Sequence, residues 1–427
     1  MTTKIAIKSD NITPFGGIFY AMDEFSRLGL NSVIDKSLGL RSSYAGYQYS
    51  EIISSLFWIY YCGGDHIEDI GKHLGKHLEL RPDTEIPSPD TLLRGIKELA
   101  ELDIHYTSQK GASYAFNKAE QLNSLMLDML LQTEQLKPNT LYNLDFDHQF
   151  IPTEKYDTQY SYKKKRGYFP GTATIGGNIV GVENRAANAN VRFRQADTLQ
   201  RTFRRLADRG IFIDRCRMDC GSYSEEIIRM THGYCNKFYI RAGKCQSLYE
   251  EMTKITDWKK EEINFENYEV TSIPFTSFLQ EENYRLVIQR QKRKDNQLDL
   301  FDGEYTYRCI LTNDHESSEK DIVLFYNARG ACERTFDMMN NDFGWSHLPC
   351  SFLKENTVFL LLTAMAKNFY AYLIEKVAAV FEDIEPVSRV KRFIFRFITV
   401  PAKWVKTGRQ WVLNIYSDKP YKLLWSP

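Results

Sequence analysis

Three carboxylates in matching local settings carry the chemistry of this chain. Asp147 ends an apolar run that begins at Leu141, and Asp219 ends another that begins at Ile211. Glu333 stands in the spacing Tyr326-x2-Arg329-x3-Glu333, just after a third apolar run, Asp321 to Phe325, that also reads as a strand. Carboxylates delivered from separate elements suit a hard divalent cation such as Mg²⁺, which takes oxygen ligands and keeps several waters. Two such ions can clamp the attacking and leaving oxygens of a phosphoryl transfer. The expected chemistry is metal-dependent attack on DNA phosphodiesters, with Asp147, Asp219 and Glu333 as ligands. Asp145 lies two residues before Asp147, hence on the same strand face, and is a further candidate ligand; the first acid is open between the two, with Asp147 favoured. Each acid alone has an ordinary reading, as a turn-former or a helix-surface residue, and Asp145-x-Asp147 alone could suggest a sugar-nucleotide metal motif. The ordered combination outweighs these.

The order of elements around the acids explains how they would meet. Residues from about 48 to 135 read as short helices, with Ser50 and Asp90 as candidate caps and Gly63-Gly64, Pro82 and Pro87 as breaks. After Pro138 the pattern becomes Leu141–Phe150, Thr172–Ile175 and Ile179–Glu183 as strands, then helix Gln195–Arg209. Strand Ile211–Asp219, helix Ser224–His232 and strand Lys237–Arg241 follow. Three strands, helix, strand, helix, strand is the ribonuclease H-like order, in which the first and fourth strands lie side by side and Asp147 neighbours Asp219. Tyr268–Phe275, Tyr284–Gln291 and Glu304–Leu311 then read as a small β-domain inserted before the Glu333 helix. On that helix Tyr326, Arg329, Glu333, Asp337 and Asn340 fall in one polar stripe, with Ala331, Cys332, Met338 and Met339 facing away. The fold class expected is multidomain α+β or α/β. It comprises a helical DNA-binding region (1–138), a mixed-sheet catalytic core (139–242 and 321–385), a β-rich insertion (243–320) and a basic C-terminal tail (386–427).

The chain has 427 residues, 43% of them hydrophobic, which is ample for real cores. Its formal net charge is zero, so no global field draws a polyanion; the positive charge is instead gathered locally. Clusters stand at Lys163–Arg166, at Arg192 through Arg205, and at Arg290, Lys292, Arg293 and Lys294. From Arg389 to Arg409 there are seven basic residues and no acidic one. The eight cysteines show no zinc spacing. The polar N-terminus is not a signal peptide, and Val358–Phe381 is interrupted by charges, so it reads as a buried helix and not a membrane span. A soluble, cytoplasmic protein is expected.

With these residues in hand the chain resembles the DDE transposases of bacterial insertion sequences. It is most similar to the Insertion Sequence 1380 family within the insertion-sequence-4-like set. The resemblance runs from about residue 15 to the C-terminus. It rests on the Tyr326, Arg329, Glu333 spacing, the strand-borne aspartates and the β-insertion, and on stretches such as Gly167-Tyr168-Phe169-Pro170, Asn184–Ala189, Arg217–Tyr223 and Ser88–Leu92. It implies a catalytic triad of Asp147, Asp219 and Glu333 holding two Mg²⁺ ions, for which Mn²⁺ may substitute. It also implies Tyr326 and Arg329 near DNA phosphate, cleavage at terminal inverted repeats, strand transfer into target DNA, and a homodimer on double-stranded DNA. Arg290, Lys292, Arg293, Lys294, Asn340 and Trp258 are further candidate DNA contacts, and Trp258 and Trp345 candidate stacking residues. Two departures stand out: Asn340 replaces a lysine common seven residues after the Glu, and Asp147-His148-Gln149 replaces Asp-x-Thr. A neutral amide cannot make the lysine's charge-assisted phosphate contact. The rival readings are a nuclease that cuts without joining and an inactive DNA-binding relative.

Overall fold

The structure, a computed structural model, describes residues 3–425 except 8–9, 43, 109–110, 244–245, 279–282 and 294–303. The chain opens with helices α1 (Ile18–Arg27), α2 (Leu30–Leu38) and α3 (Tyr49–Tyr61). A π-helical turn at Ile70–Leu74 runs into α4 (Gly75–Leu78), and α5 (Pro89–Glu98) follows. The caps differ from expectation. Gln48 and Glu51 form a capping box at α3, leaving Ser50 to donate to Asp35 at 2.8 Å. Ser88 caps α5 by accepting from the Thr91 N–H, with Pro89 at the first helical position and Asp90 in the first turn. A hairpin, β1 (Ile104–Thr107) and β2 (Ser113–Asn117), interrupts the stretch read as all helical, and α6 (Glu120–Gln132) completes it. The strand signal there is short: one burial alternation across Ile104–Thr107 and the buried Phe116.

Next come β3 (Thr140–His148) and a small sheet of β4 (Ile151–Pro152), β5 (Gln159–Tyr160) and β6 (Arg166–Tyr168). They lead to β7 (Gly171–Ile175), β8 (Asn178–Arg185), α7 (Gln195–Ala207), β9 (Ile211–Met218), α8 (Glu225–His232) and β10 (Cys235–Arg241). α9 (Gln246–Thr253) precedes β11 (Lys259–Ile263), β12 (Glu266–Phe275), β13 (Tyr284–Lys292) and β14 (Tyr305–Thr312). The chain closes with α10 (Glu319–Asn327), α11 (Gly330–Asp342), α12 (Leu353–Ala378), α13 (Val390–Phe393), the hairpin β15 (Ala402–Thr407) and β16 (Gln410–Ile415), and α14 (Tyr421–Leu424).

One large mixed sheet organises the molecule, in the order β1-β2-β8-β7-β3-β9-β10-β14-β13-β12-β11. At its centre β3 pairs antiparallel with β7 and parallel with β9, and β9 pairs parallel with β10. The strand ending at Asp147 therefore lies beside the one ending at Asp219, as the order of elements implies. The inserted strands do not stand apart as a separate β-domain. β14 pairs antiparallel with β10, so the insertion extends the same sheet.

The run Asp321–Phe325 is a correction to the sequence reading: it lies in helix α10, not in a strand. Ser318 caps α10 by accepting from the Asp321 N–H at 3.1 Å, and Glu319 and Asp321 occupy the first turn. Ile322, Val323 and Tyr326, spaced for one helical face, pack on Val270, Val287 and Ile310 of the extended sheet. A five-residue apolar run cannot by itself tell a buried strand from a buried helix segment.

Helix α12 is the hub of the main core. Its most apolar stretch is 94% buried, packed with α1, α3, α6 and the 393–398 segment. Asn368 bonds both the N–H and the C=O of Ile179, at 2.9 and 2.7 Å, and Lys367 donates to the Gly177 carbonyl, tying α12 to the β7–β8 hairpin. At the opposite edge of this core the chain's early and late segments are laced together. Thr13 and Ala402 exchange main-chain bonds of 2.9 Å, and Gly16 and Gly17 donate to Val400 and Ile398. A side chain at position 16 would put its Cβ 2.6 Å from that of Ala402, so only glycine permits the approach.

Candidate active site

Register places the two aspartates. Along β3 and β9, Asp145 faces Arg217 and Phe146 faces Met218, so Asp147 and Asp219 are the next residues of each strand. An irregularity after Tyr142 leaves Asp214 as an extra residue in β9. A one-residue slip exchanges the faces of every later side chain, so this bulge helps bring Asp147 and Asp219 to one side of the sheet. Asp219 then caps a short 3₁₀ turn at Cys220–Ser222, its Oδ1 accepting from the Gly221 N–H at 2.9 Å.

Over these acids the chain passes from α10 into α11, with Arg329 at the junction. Arg329 Nη1 donates to Asp147 Oδ2 at 2.8 Å, both side chains being 15% exposed, and the other Asp147 oxygen accepts from the His148 N–H at 2.8 Å. Asp219 is electrostatically coupled to the same pair. Burial first, and the Asp147 charge second, push its carboxyl above the ordinary range, against the opposing pull of Arg329 and the Gly221 and Ser222 N–H groups. Burial also works against the charge on Arg329, but Asp147, Tyr326 and Asp219 outweigh it and hold the guanidinium above its ordinary value.

Asp145 is placed differently from Asp147. Arg217 takes both of its oxygens, at 2.5 and 2.7 Å, and also donates to the Phe325 carbonyl at 2.6 Å while lying 4.6 Å from the Phe325 ring centroid. The Asp145–Arg217 pair thus anchors the C-terminal end of α10 on the sheet. Tyr326 is buried, and its hydroxyl donates to the Met218 carbonyl at 3.1 Å, one residue before Asp219. In this geometry it holds the strand end.

Glu333 lies in the first turn of α11, exposed, on the wall of a cavity of about 960 Å³ that Asp219, Tyr326 and Arg329 also line. Leu248, Met252, Tyr305 and Tyr307 give the cavity an aromatic and apolar lining, and Arg241, 5.1 Å from the Tyr326 ring centroid, and Arg308 line it as well. These two arginines escaped the sequence reading. Arg241 had a usable signal, since it ends the parallel strand next to the one ending at Asp219, whereas Arg308 lies within β14 with none. The expected polar stripe is broken at Arg329: Tyr326 belongs to α10 and the rest to α11, with Cys332 and Met339 buried. Asn340 lies two turns beyond Glu333, half-buried, its carbonyl accepting from Ser346 at 2.6 Å.

The proposed DNA contacts on the insertion are engaged internally. Arg290 pairs with Glu269 at 2.6 Å and is sandwiched between Trp258 and Tyr305, 3.8 and 4.2 Å from their ring centroids. Trp258 also donates to the Ile255 carbonyl at 2.8 Å. Lys292 pairs with Glu304 at 2.8 Å, Arg293 donates its main-chain N–H to Glu304 at 3.1 Å, and Lys294 lies outside the described residues. Trp345 is fully buried and bonded to Thr363 at 3.0 Å, which makes it a core residue and not a stacking surface.

The donor chemistry at the centre fits a hard divalent cation. It offers carboxylate oxygens from adjacent parallel strands, with the positive Arg329 already set against them. The two aspartates meet, while Glu333 stands off on the cavity wall. Among the described residues no three His, Cys, Asp or Glu side chains are close enough to hold a metal together.

No curated protein matches the sequence. Among solved structures, one described as a piggyBac transposase synaptic complex with hairpin DNA is similar at 12% identity, covering 90% of this chain and 79% of that one, with a TM-score of 0.43. The family model described as Transposase DDE domain group 1 matches residues 4–426. The chain therefore belongs to the DDE transposase family, and it is an enzyme of the transposase class.

Proposed function

We propose that the protein is a cut-and-paste DNA transposase of a bacterial insertion sequence of the Insertion Sequence 1380 family. Its catalytic centre would lie in the ribonuclease H-like part of the sheet, with Asp147, Asp219 and Glu333 as the acids. The observation that carries this reading is the meeting of Asp147 and Asp219 on adjacent parallel strands, with Arg329 against them and Glu333 on the same cavity. That arrangement stands in a chain matching a transposase family nearly end to end.

Asp147 and Asp219 would hold Mg²⁺ (or Mn²⁺), with Glu333, on the cavity that Asp219 also lines, as the third acid. Two bound ions would supply activation of the attacking oxygen and stabilisation of the departing 3′-oxygen. The rest falls to side chains. Arg329, once released from Asp147, has the planar fork that grips a phosphate bidentately. Arg241 and Arg308 line the same cavity and would hold the flanking phosphate in line for attack. Tyr326 and the Asp145–Arg217 pair position the strand ends and α10. In the first reaction water attacks phosphorus and the 3′-oxygen leaves as a hydroxyl; in the second that 3′-hydroxyl attacks a target phosphorus, and the target strand's own P–O3′ bond breaks, its 3′-oxygen leaving with a proton. Two copies on two terminal inverted repeats, acting in the cytoplasm on double-stranded DNA, complete the proposal.

The test is incubation of the full chain with duplexes carrying the inverted repeats that flank its gene. Mg²⁺-dependent release of a 3′-hydroxyl end, followed by joining to a plasmid, is the expected result. Cleavage without joining would replace this reading with the nuclease one, and binding without cleavage would leave only a DNA-binding relative.

A further inference from the structure

Four clusters of positive charge mark this chain, and in three of them several members meet a carboxylate. In the second, Arg194 pairs with Asp197, Arg201 with Glu183, and Arg205 with Glu120. In the third, Arg290 and Lys292 pair with Glu269 and Glu304. In the C-terminal one, Arg389 meets Asp337 and Asp342, and Arg396 meets Asp383. The cluster at Lys163, Lys164 and Lys165 is different. All three side chains are exposed, and among the described residues none has a carboxylate partner.

These lysines sit at the tip of the β5–β6 hairpin, in a turn closed by Ser161 and Lys165 through a main-chain bond of 2.9 Å. Around them Tyr156, Tyr160 and Tyr162 are 82%, 68% and 75% exposed, far more than folding requires of an aromatic ring. The hairpin itself is firmly held. Asp157 accepts from the Tyr168 hydroxyl at 2.5 Å and from the Leu353 N–H at 2.7 Å, and Arg166 donates to the Thr158 carbonyl at 2.6 Å. A held mount thus presents to solvent three lysines without a carboxylate, one of them, Lys163, 5.7 Å from the Phe150 and Tyr162 ring centroids, and three largely exposed tyrosine rings. The small sheet also follows directly on the strand that carries Asp147, since β4 starts three residues after β3 ends. A chain of ring contacts runs from His148 through Phe169, 5.9 Å away, to Tyr162, 6.3 Å further on.

We propose that this hairpin is a DNA-gripping surface. Lys163, Lys164 and Lys165 contact backbone phosphates of the duplex flanking the scissile bond, and Tyr160 and Tyr162 lie against its sugars. Charge complementarity selects the partner. The proposal rests on the transposase reading, and neither the family spacing nor the acids' geometry points to this segment.

The test compares the full-length wild type with K163A/K164A/K165A, with the triple lysine-to-arginine variant, and with R229A as a control for loss of a surface cation. Binding to a short random-sequence duplex and to a single strand is measured across a salt series, in Ca²⁺ to suppress cleavage. Each lost phosphate contact lowers the slope of log Kd on log salt by about 0.9 for a duplex. The alanine variant should lose about 2 to 3 from the slope and bind about tenfold more weakly at moderate salt. The arginine variant and R229A should match wild type, with unchanged melting temperatures throughout. An unchanged slope for the alanine variant, or a loss confined to the single strand, overturns the hairpin assignment while wild-type binding leaves the transposase reading standing. Absence of wild-type binding and of Mg²⁺-dependent cleavage would bring down both.

Discussion

Removal of Arg329 makes the sharpest prediction. Its guanidinium is 2.8 Å from Asp147, with both side chains 15% exposed, and Asp219 is close enough to feel the Asp147 charge. Coulomb's law at that distance, with an effective dielectric of about 20, gives about 6 kcal/mol of attraction. Removing one partner of a buried pair leaves an uncompensated charge, which typically costs about 3–5 kcal/mol. Arg329→Met should therefore lower stability by about that much in EDTA, read by urea unfolding. Adding Asp147→Asn should recover most of it, giving a double-mutant-cycle coupling of the same size. Mg²⁺ should stabilise Arg329→Met more than wild type, because the ion no longer competes with an arginine for Asp147. An Arg329→Met protein as stable as wild type in EDTA, with no greater response to Mg²⁺, would refute the idea that this arginine and the metal share one place.

Further outcomes follow from the same geometry. Asp219→Asn should abolish cleavage, leave DNA binding near normal and raise the melting temperature at neutral pH. Because burial and Asp147 raise the folded-state pKa of Asp219, its stabilising contribution is full at low pH and is lost as pH rises through that value. The variant's advantage should accordingly shrink on acidification; an advantage that persists in acid contradicts the assignment. Asp147→Asn should lose Mg²⁺ affinity by calorimetry, whereas Asp145→Asn should keep it and lose stability instead, through the Arg217 anchor; equal loss of affinity in both would reverse the choice of first acid. Burial takes Lys367 from its ordinary 10.5 to about 8, so the unfolded chain binds the extra proton between those values. Wild-type stability should rise by about 3 kcal/mol relative to Lys367→Met from pH 8 to 10.5, at about 1.4 kcal/mol per unit. A flat difference across that window, followed by chemical denaturation, would count against the buried charge.

The strands carrying Asp147 and Asp219 were legible because each joins a run of apolar residues to an acid, and because the element order dictates which strands are neighbours. The choice between Asp145 and Asp147 was not. Alternation puts both on one face, and only the partner opposite, Arg217 for one and Arg329 for the other, separates their roles. Asp321–Phe325 misled because local apolarity has no period over five residues, while Ser318 and the sheet beneath it decide in favour of a helix. The basic clusters were visible as charge, but their compensation by Glu183, Glu269 or Asp342 is long-range and leaves no mark in the local sequence. Arg290 and Trp258, read as DNA contacts, were drawn together by each other.

The lacing of Thr13, Gly16 and Gly17 onto residues 398–402 has a consequence for biosynthesis. During translation, the segment made first cannot complete its packing until residues near 400 have cleared the ribosome. The partners of α1 on α12 and the 393–398 segment emerge long after α1 itself. A nascent or truncated copy would leave broad apolar surface bare, a state prone to aggregation and to degradation.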